Sequence, residues 1–136
     1  MSLPKLILIV DDEKSVRVVL SRRLTAWGYR VAEAENGSVA VQMAQQQRPD
    51  LIFLDIMMPV CDGIEASRLL KEDPRTKEIP LIFVTALMGN ADSFKMENPE
   101  AGSRGYCVLG KPYEPIQLRR VIREVLKELP EEAPPS

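Results

Sequence analysis

The sequence predicts an α/β fold: a single doubly wound parallel sheet of five strands with helices on both faces. Three observations carry this. Five short runs read as strands, at Lys5–Val10, Tyr29–Glu33, Leu51–Asp55, Pro80–Thr85 and Tyr106–Leu109, and most are continuous apolar stretches of the kind buried on both faces of a sheet. Segments with apolar residues at three- and four-residue spacing alternate with them. Right-handed crossovers between parallel strands then put helices on either side. At 136 residues, 45% apolar and 28% charged, the chain fits one globular domain with a genuine core.

The first strand, Lys5-Leu-Ile-Leu-Ile-Val10, runs into Asp11-Asp12-Glu13. Val16, Val19, Leu20, Leu24 and Trp27 form the apolar stripe of a helix that Gly28 closes. After the second strand, Asn36-Gly37 breaks the chain, and Val39, Ala40, Met43 and Ala44 mark a second helix ending before Pro49. Leu51–Asp55 is the third strand, stopped by Pro59. Gly63–Glu72 is a third helix with Ile64, Leu69 and Leu70 as its apolar positions. The fourth strand ends on Thr85. From Ala86 to Gly105 the pattern weakens, with Gly89, Pro99, Gly102 and Gly105 as breaks and only Ala91, Phe94 and Met96 suggesting a helix. After the fifth strand and Lys111-Pro112, the residues Leu118, Val121, Ile122, Val125, Leu126 and Leu129 define the most amphipathic helix. Tyr113, Ile116 and Val108 read as core. A globular unit of residues 1–129 is therefore expected, followed by a Pro- and Glu-rich disordered tail at 130–136.

Composition excludes several functions. A net charge of −2 supplies no field for a phosphate backbone, so direct nucleic-acid binding is not expected. Arg22, Arg23, Arg119, Arg120 and Arg123 read as solvated helix faces with acids nearby. Two cysteines, Cys61 and Cys107, and no histidine exclude the usual zinc spacings and point to a reducing, cytoplasmic setting. The apolar run Leu6–Val10 is too short for a signal peptide or a membrane span.

In open α/β sheets ligands bind beyond the carboxyl ends of the strands. The residues there are Asp11, Asp12, Asp55, Thr85 and Lys111. Taken singly, each has an ordinary explanation: Asp12 as a helix N-cap, Asp55 as a cap for the next helix, Thr85 as a strand residue, Lys111 as a solvated lysine. With a strand order of 2-1-3-4-5 the first and third strands are neighbours, about 4.8 Å apart, and the three acids meet. Leaving them ionised calls for a counter-ion, and all-oxygen donors suit Mg2+.

The set resembles the receiver domains of two-component response regulators. The resemblance lies in Ile9-Val10-Asp11-Asp12-Glu13, in Leu54-Asp55-Ile56-Met57-Met58-Pro59 with Asp62-Gly63, in Val84-Thr85-Ala86 and in Lys111-Pro112-Tyr113. It covers Leu6 to about Leu129, and four motifs in order at strand ends are specific together where each alone is weak. It implies the flavodoxin-like strand order 2-1-3-4-5. It also implies a phosphoryl group accepted on Asp55 from a sensor histidine kinase or phosphotransfer protein. Mg2+ would be held by Asp11, Asp12, Asp55 and the Met57 carbonyl, while Lys111 neutralises the phosphoryl charge and Thr85 senses it. Such a protein is a phosphoacceptor that assists its own phosphorylation and dephosphorylation rather than an ordinary enzyme. Its partners would be the kinase, a downstream effector or output domain, and a second copy in a phosphorylation-dependent homodimer.

The sequence departs from the family where Val108 stands at the usual aromatic position. Tyr106, on the same side of the strand, is the candidate replacement, and the Thr85-to-Lys111 interval is longer than usual. A receiver-like interaction module that does not switch is the alternative these departures suggest. A phosphatase of the haloacid dehalogenase type would want Asp-x-Asp after the first strand, and Asp11-Asp12-Glu13 does not match it.

Overall fold

The computed structural model describes residues 4–55, 63–85, 93–96, 106–110 and 113–126, and for Thr85, 93–96 and 106–108 the backbone alone. The apolar runs become strands β1 (Leu6–Val10), β2 (Arg30–Ala34), β3 (Leu51–Asp55), β4 (Leu81–Thr85) and β6 (Tyr106–Gly110), with β5 (Ser93–Met96) between the last two. Among the described residues the helices are α1 (Lys14–Ala26), α2 (Gly37–Gln47), α3 (Gly63–Glu72) and, after the last strand, α4 (Pro115–Leu126). The sheet order is β2-β1-β3-β4-β6-β5. The five parallel strands therefore stand in the expected order 2-1-3-4-5, β6 being the fifth.

Strand β5 overturns one expectation. Phe94 and Met96 were read as hints of a helix, but Ser93–Met96 pairs antiparallel with β6, Phe94 opposite Val108 and Met96 opposite Tyr106. Two apolar residues two apart share one side of a strand but stand on opposite sides of a helix, and pairing along the edge of β6 makes the segment a strand. An antiparallel edge strand on an otherwise parallel sheet is a common variation. Ala91, the rest of the weakly patterned stretch and the tail at 130–136 lie outside the described residues.

Alternation along the strands splits the core in two. Leu8, Val10, Ile52, Leu54, Leu81 and Phe83 face Ala40 and Ala44 of α2 and Ala66 and Leu70 of α3. Ile7, Ile9, Leu51, Phe53, Ile82, Val84 and Leu109 face Leu20 and Leu24 of α1 and Leu118, Val121 and Ile122 of α4. Every residue of β3 is buried, as a central strand covered on both faces requires.

The helices begin and end for identifiable reasons. In α1 the Gly28 N–H donates to Thr25 O at 3.0 Å and the Tyr29 N–H to Leu24 O at 3.1 Å, a Schellman closure that uses glycine's freedom at φ +97°. Asn36 caps α2, its side chain accepting from the Val39 N–H at 2.9 Å, a cap worth about 1 kcal/mol. Three expected core positions lie outside: Val19 is 55% exposed, Ile64 57% and Ile116 64%. At 100° per residue Ile64 and Ile116 point away from Ala66 and Leu118, two positions further on. In α3 small residues, Gly63, Ala66 and Ser67, do the packing with Leu70. Of the arginines read as solvated, Arg22 and Arg120 are exposed, but α1 has no acid among its residues, and Arg119 lies 5.1 Å over the Trp27 ring.

The turn after α3 is tied by Asp73, whose carboxylate accepts from the Arg75 guanidinium at 2.9 Å, the Arg75 N–H at 2.8 Å and Gln45 Nε2 of α2 at 2.9 Å. These bonds, the Arg75 guanidinium first, hold the Asp73 carboxyl down to about 2. The stability this contributes is present above the ordinary carboxylate range and is lost as pH falls through about 2. Because the Arg75 side of the pair is half exposed, Asp73→Asn should lower the urea midpoint only slightly at neutral pH. The gap to the parent protein should close towards pH 2; a gap that persists there would show that the pair is not its source.

Candidate functional site

The carboxyl ends of β1 and β3 bring three acids together. Val10 is the register partner of Leu54, so Asp11 and Asp55, each the next residue, leave adjacent strands at one level. Asp11 is 3% exposed and Asp55 7%, while Asp12 is exposed. Ligand oxygens of Asp11, Asp12 and Asp55 all lie within 4.8 Å of one another. Carboxylates this close repel when ionised, and two of them have lost most of their water, so a cation between them offsets both costs. The donors are all oxygens, which suits a hard cation. Three carboxylates with one open to solvent leave room for the waters that Mg2+ retains.

Backbone and side-chain bonds hold the acids. The Asp11 N–H donates to Ala34 O of β2 at 3.2 Å, and its Oδ1 accepts from the Glu13 N–H at 2.9 Å. Its carbonyl accepts from Arg17 Nη1 at 2.7 Å, and Arg17 Nε donates to Glu33 Oε1 at 3.1 Å. Glu13, not Asp12, is the N-cap of α1, without a side-chain capping bond. The cap expected of Asp12 is therefore not made: the helix starts one residue later than that reading required, and the Asp11 carboxylate takes the Glu13 N–H. Asp55 ends β3 well before α3 begins at Gly63, too far to cap it.

Asp55 pairs with Val84, which places Thr85, the last residue of β4, one step beyond it on the same rim. Thr85 pairs in turn with Gly110, the end of β6, and Lys111 is next in sequence. Met57, Lys111 and the side chains of Thr85, Tyr106 and Val108 lie outside the described residues.

Tyr113, read from sequence as core, packs against the cluster beneath α1 and α4 and also feels the site. Burial pushes its hydroxyl up to about 12, Arg23 opposing and Asp11 and Asp55 adding to the rise. The fold thus favours the neutral phenol. That stabilisation is full below the ordinary tyrosine value of about 10 and is lost as pH rises through about 12. In a tyrosinate absorbance titration, Tyr113→Phe should remove a component that ionises above the ordinary tyrosine range; its survival would assign that component to another tyrosine. Arg17 was missed altogether, although a signal existed. It lies three residues before Leu20 on the buried stripe of α1, and a charge there implies a partner.

A family model of the response regulator receiver domain matches residues 7–123. The chain belongs to this family. Among curated relatives, the response regulator PleD of Caulobacter vibrioides is 40% identical over 122 residues, covering 89% of this chain and 26% of PleD. The phosphate regulon transcriptional regulatory protein PhoB of Pseudomonas aeruginosa is 41% identical over 123 residues, 90% of this chain and 52% of PhoB. The chain thus spans from about a quarter to a half of the relatives' length. Among solved structures, the receiver domain of the sensor histidine kinase PA1611 from Pseudomonas aeruginosa superposes with a TM-score of 0.76 at 30% identity. The match covers 92% of this chain and 99% of that one, which has a magnesium ion coordinated in its active site cleft. The Vibrio cholerae chemotaxis protein CheY4 matches with a TM-score of 0.72 at 29% identity, over 91% of this chain and 99% of its own. Among the described residues of this receiver domain, no helix is long and apolar enough to cross a membrane.

Proposed function

We propose that this receiver domain, residues 1–129, takes a phosphoryl group onto Asp55 from a sensor histidine kinase or a phosphotransfer protein and works as a phosphorylation-controlled switch in a phosphorelay. The observation that carries the reading is the convergence of the Asp11, Asp12 and Asp55 oxygens within 4.8 Å at the ends of adjacent strands. An oxygen of the Asp55 carboxylate attacks the phosphorus of a phosphohistidine. The new O–P bond forms as the P–N bond breaks, and the imidazole leaves with the electron pair and takes up a proton. Water later attacks the aspartyl phosphate, releasing inorganic phosphate and restoring the carboxylate.

The residues divide the work. Asp11, Asp12, Asp55 and the Met57 carbonyl hold Mg2+, directly or through water. Bound there, Mg2+ supplies charge neutralisation to a transition state that needs positioning more than covalent help. Lys111 neutralises the phosphoryl oxygens, and the Thr85 hydroxyl donates to them and follows them. Phosphorylation then favours one arrangement of the Thr85 rim over another, a population shift that a downstream effector, an output domain or a second copy reads. The protein is a cytoplasmic phosphoacceptor that assists its own phosphorylation and dephosphorylation, without direct contact to nucleic acid.

Incubation with acetyl phosphate and Mg2+ tests this. The expected result is one added phosphoryl group per chain, prevented by chelation and located by borohydride reduction at Asp55. An adduct at another residue, or one that forms equally well without divalent cation, would overturn the reading.

A further inference from the structure

Asp12 is the odd member of the acidic cluster. Asp11 and Asp55 are buried and aimed by the strands that carry them, but Asp12 is exposed and caps no helix, since the N-cap is Glu13. An exposed carboxylate on a short connection samples several rotamers, yet its oxygen stands within 4.8 Å of both partners. Something must fix the backbone around it.

The peptides on both sides of Asp12 are held. The one that enters it carries the Asp11 carbonyl, which accepts from Arg17 Nη1 at 2.7 Å. The one that leaves it carries the Glu13 N–H, which donates to Asp11 Oδ1 at 2.9 Å. Arg17 is itself anchored. Its side chain is 14% exposed, and its Nε donates to Glu33 Oε1 at 3.1 Å. Glu33 is the register partner of Ile9 on the neighbouring strand. One guanidinium therefore spans α1, β2 and the end of β1. An ion pair this close to solvent adds little to stability, so its weight falls on orientation. The planar fork suits the task because two of its nitrogens serve two acceptors in one rigid plane, which a lysine ammonium on a flexible stem does not do.

We propose that Arg17 is a positioning residue for the cation site: by holding the Asp11 carbonyl against the Glu33 anchor, it fixes the peptide plane leading into Asp12 and aims the exposed Asp12 carboxylate at Asp11 and Asp55. This rests on the reading of the cluster as a divalent-cation site. Groups that orient metal ligands typically change metal affinity by 10–100-fold when removed.

The sign of the effect separates positioning from mere charge. Arg17 is a cation near a cation site, so if it acted only through its charge, Arg17→Gln would tighten Mg2+ binding and Arg17→Lys would leave it unchanged. Positioning requires both variants to weaken it, Arg17→Gln by roughly tenfold and Arg17→Lys by less. Affinity is measured by calorimetric titration of the full chain with Mg2+, beside urea denaturation in chelator to confirm folding. A metal-free readout keeps the two readings apart: amide exchange at Asp12 and Glu13 should speed up in both variants while β3 stays protected. Faster exchange with no Mg2+ binding by the parent protein would overturn the cation site and leave the backbone role of Arg17 standing. Unchanged exchange at Asp12 and Glu13, or Mg2+ binding as tight as the parent's in Arg17→Gln, would overturn the positioning role.

Discussion

Asp55→Asn should abolish both the Mg2+-dependent adduct from acetyl phosphate and the spectroscopic response to beryllofluoride with Mg2+. Asparagine keeps the volume and shape of aspartate, so at a position 7% exposed it fits the same space at the end of β3. What disappears is the anionic oxygen that the proposed transfer uses to attack phosphorus; a neutral amide oxygen is a far weaker nucleophile. The substitution also removes one of three carboxylates whose oxygens lie within 4.8 Å of one another; groups this close repel when ionised, so without metal the variant should be at least as resistant to urea as the parent. Affinity for Mg2+ should fall, because the proposed cation site loses one charged ligand. Loss of labelling with undiminished stability is thus the expected pair. Labelling that survives in Asp55→Asn would place the acceptor elsewhere and sink the proposed chemistry.

The largest effect on stability is expected at Phe53→Ala. Phe53 is 1% exposed in the middle of the central strand, between its register partners Ile9 and Ile82, and packs on the face covered by α1 and α4. Truncation removes most of a ring's burial and leaves a cavity that flanking strands cannot close without shifting the sheet, at a cost of about 3–5 kcal/mol. Against a typical domain stability of about 5–15 kcal/mol that is enough to leave a marginal protein partly unfolded at body temperature. Side chains alternate along a strand, so Phe53 also lies on the same face of β3 as Asp55. Urea denaturation measures the loss; a change below about 1 kcal/mol would mean that the core collapses around the gap far better than a packed strand allows.

How far the site could be read in advance differs from residue to residue. Asp55 was legible because an apolar run of strand formers ended on it, and Asp11 and Asp12 because they follow another such run. The interior of α4 was legible because Leu118, Val121 and Ile122 keep a helical period. Ile64, Val19 and Ile116 misled because apolar character was taken for burial, while the real contacts of α3 are made by Ala66 and Ser67, whose small size lets the helix approach the sheet. Strand β5 was misread because four residues hold too little periodicity to separate a helix from a strand. The role of Arg17 was hidden, since nothing in its neighbours names an acceptor on β1 or an anchor on β2.

The sequence by itself determined the strand and helix alternation, the parallel class of the sheet and the acid at the end of each key strand. These follow from local period and from the chirality of crossovers, which act on a few residues at a time. Only the tertiary structure decided that the Asp11, Asp12 and Asp55 oxygens come within 4.8 Å of one another, that Glu13 rather than Asp12 caps α1, and that Arg17 bridges the Asp11 carbonyl and Glu33. Those facts depend on the register of one strand against another and on side-chain rotation at a helix start, which are set by packing among residues distant in sequence.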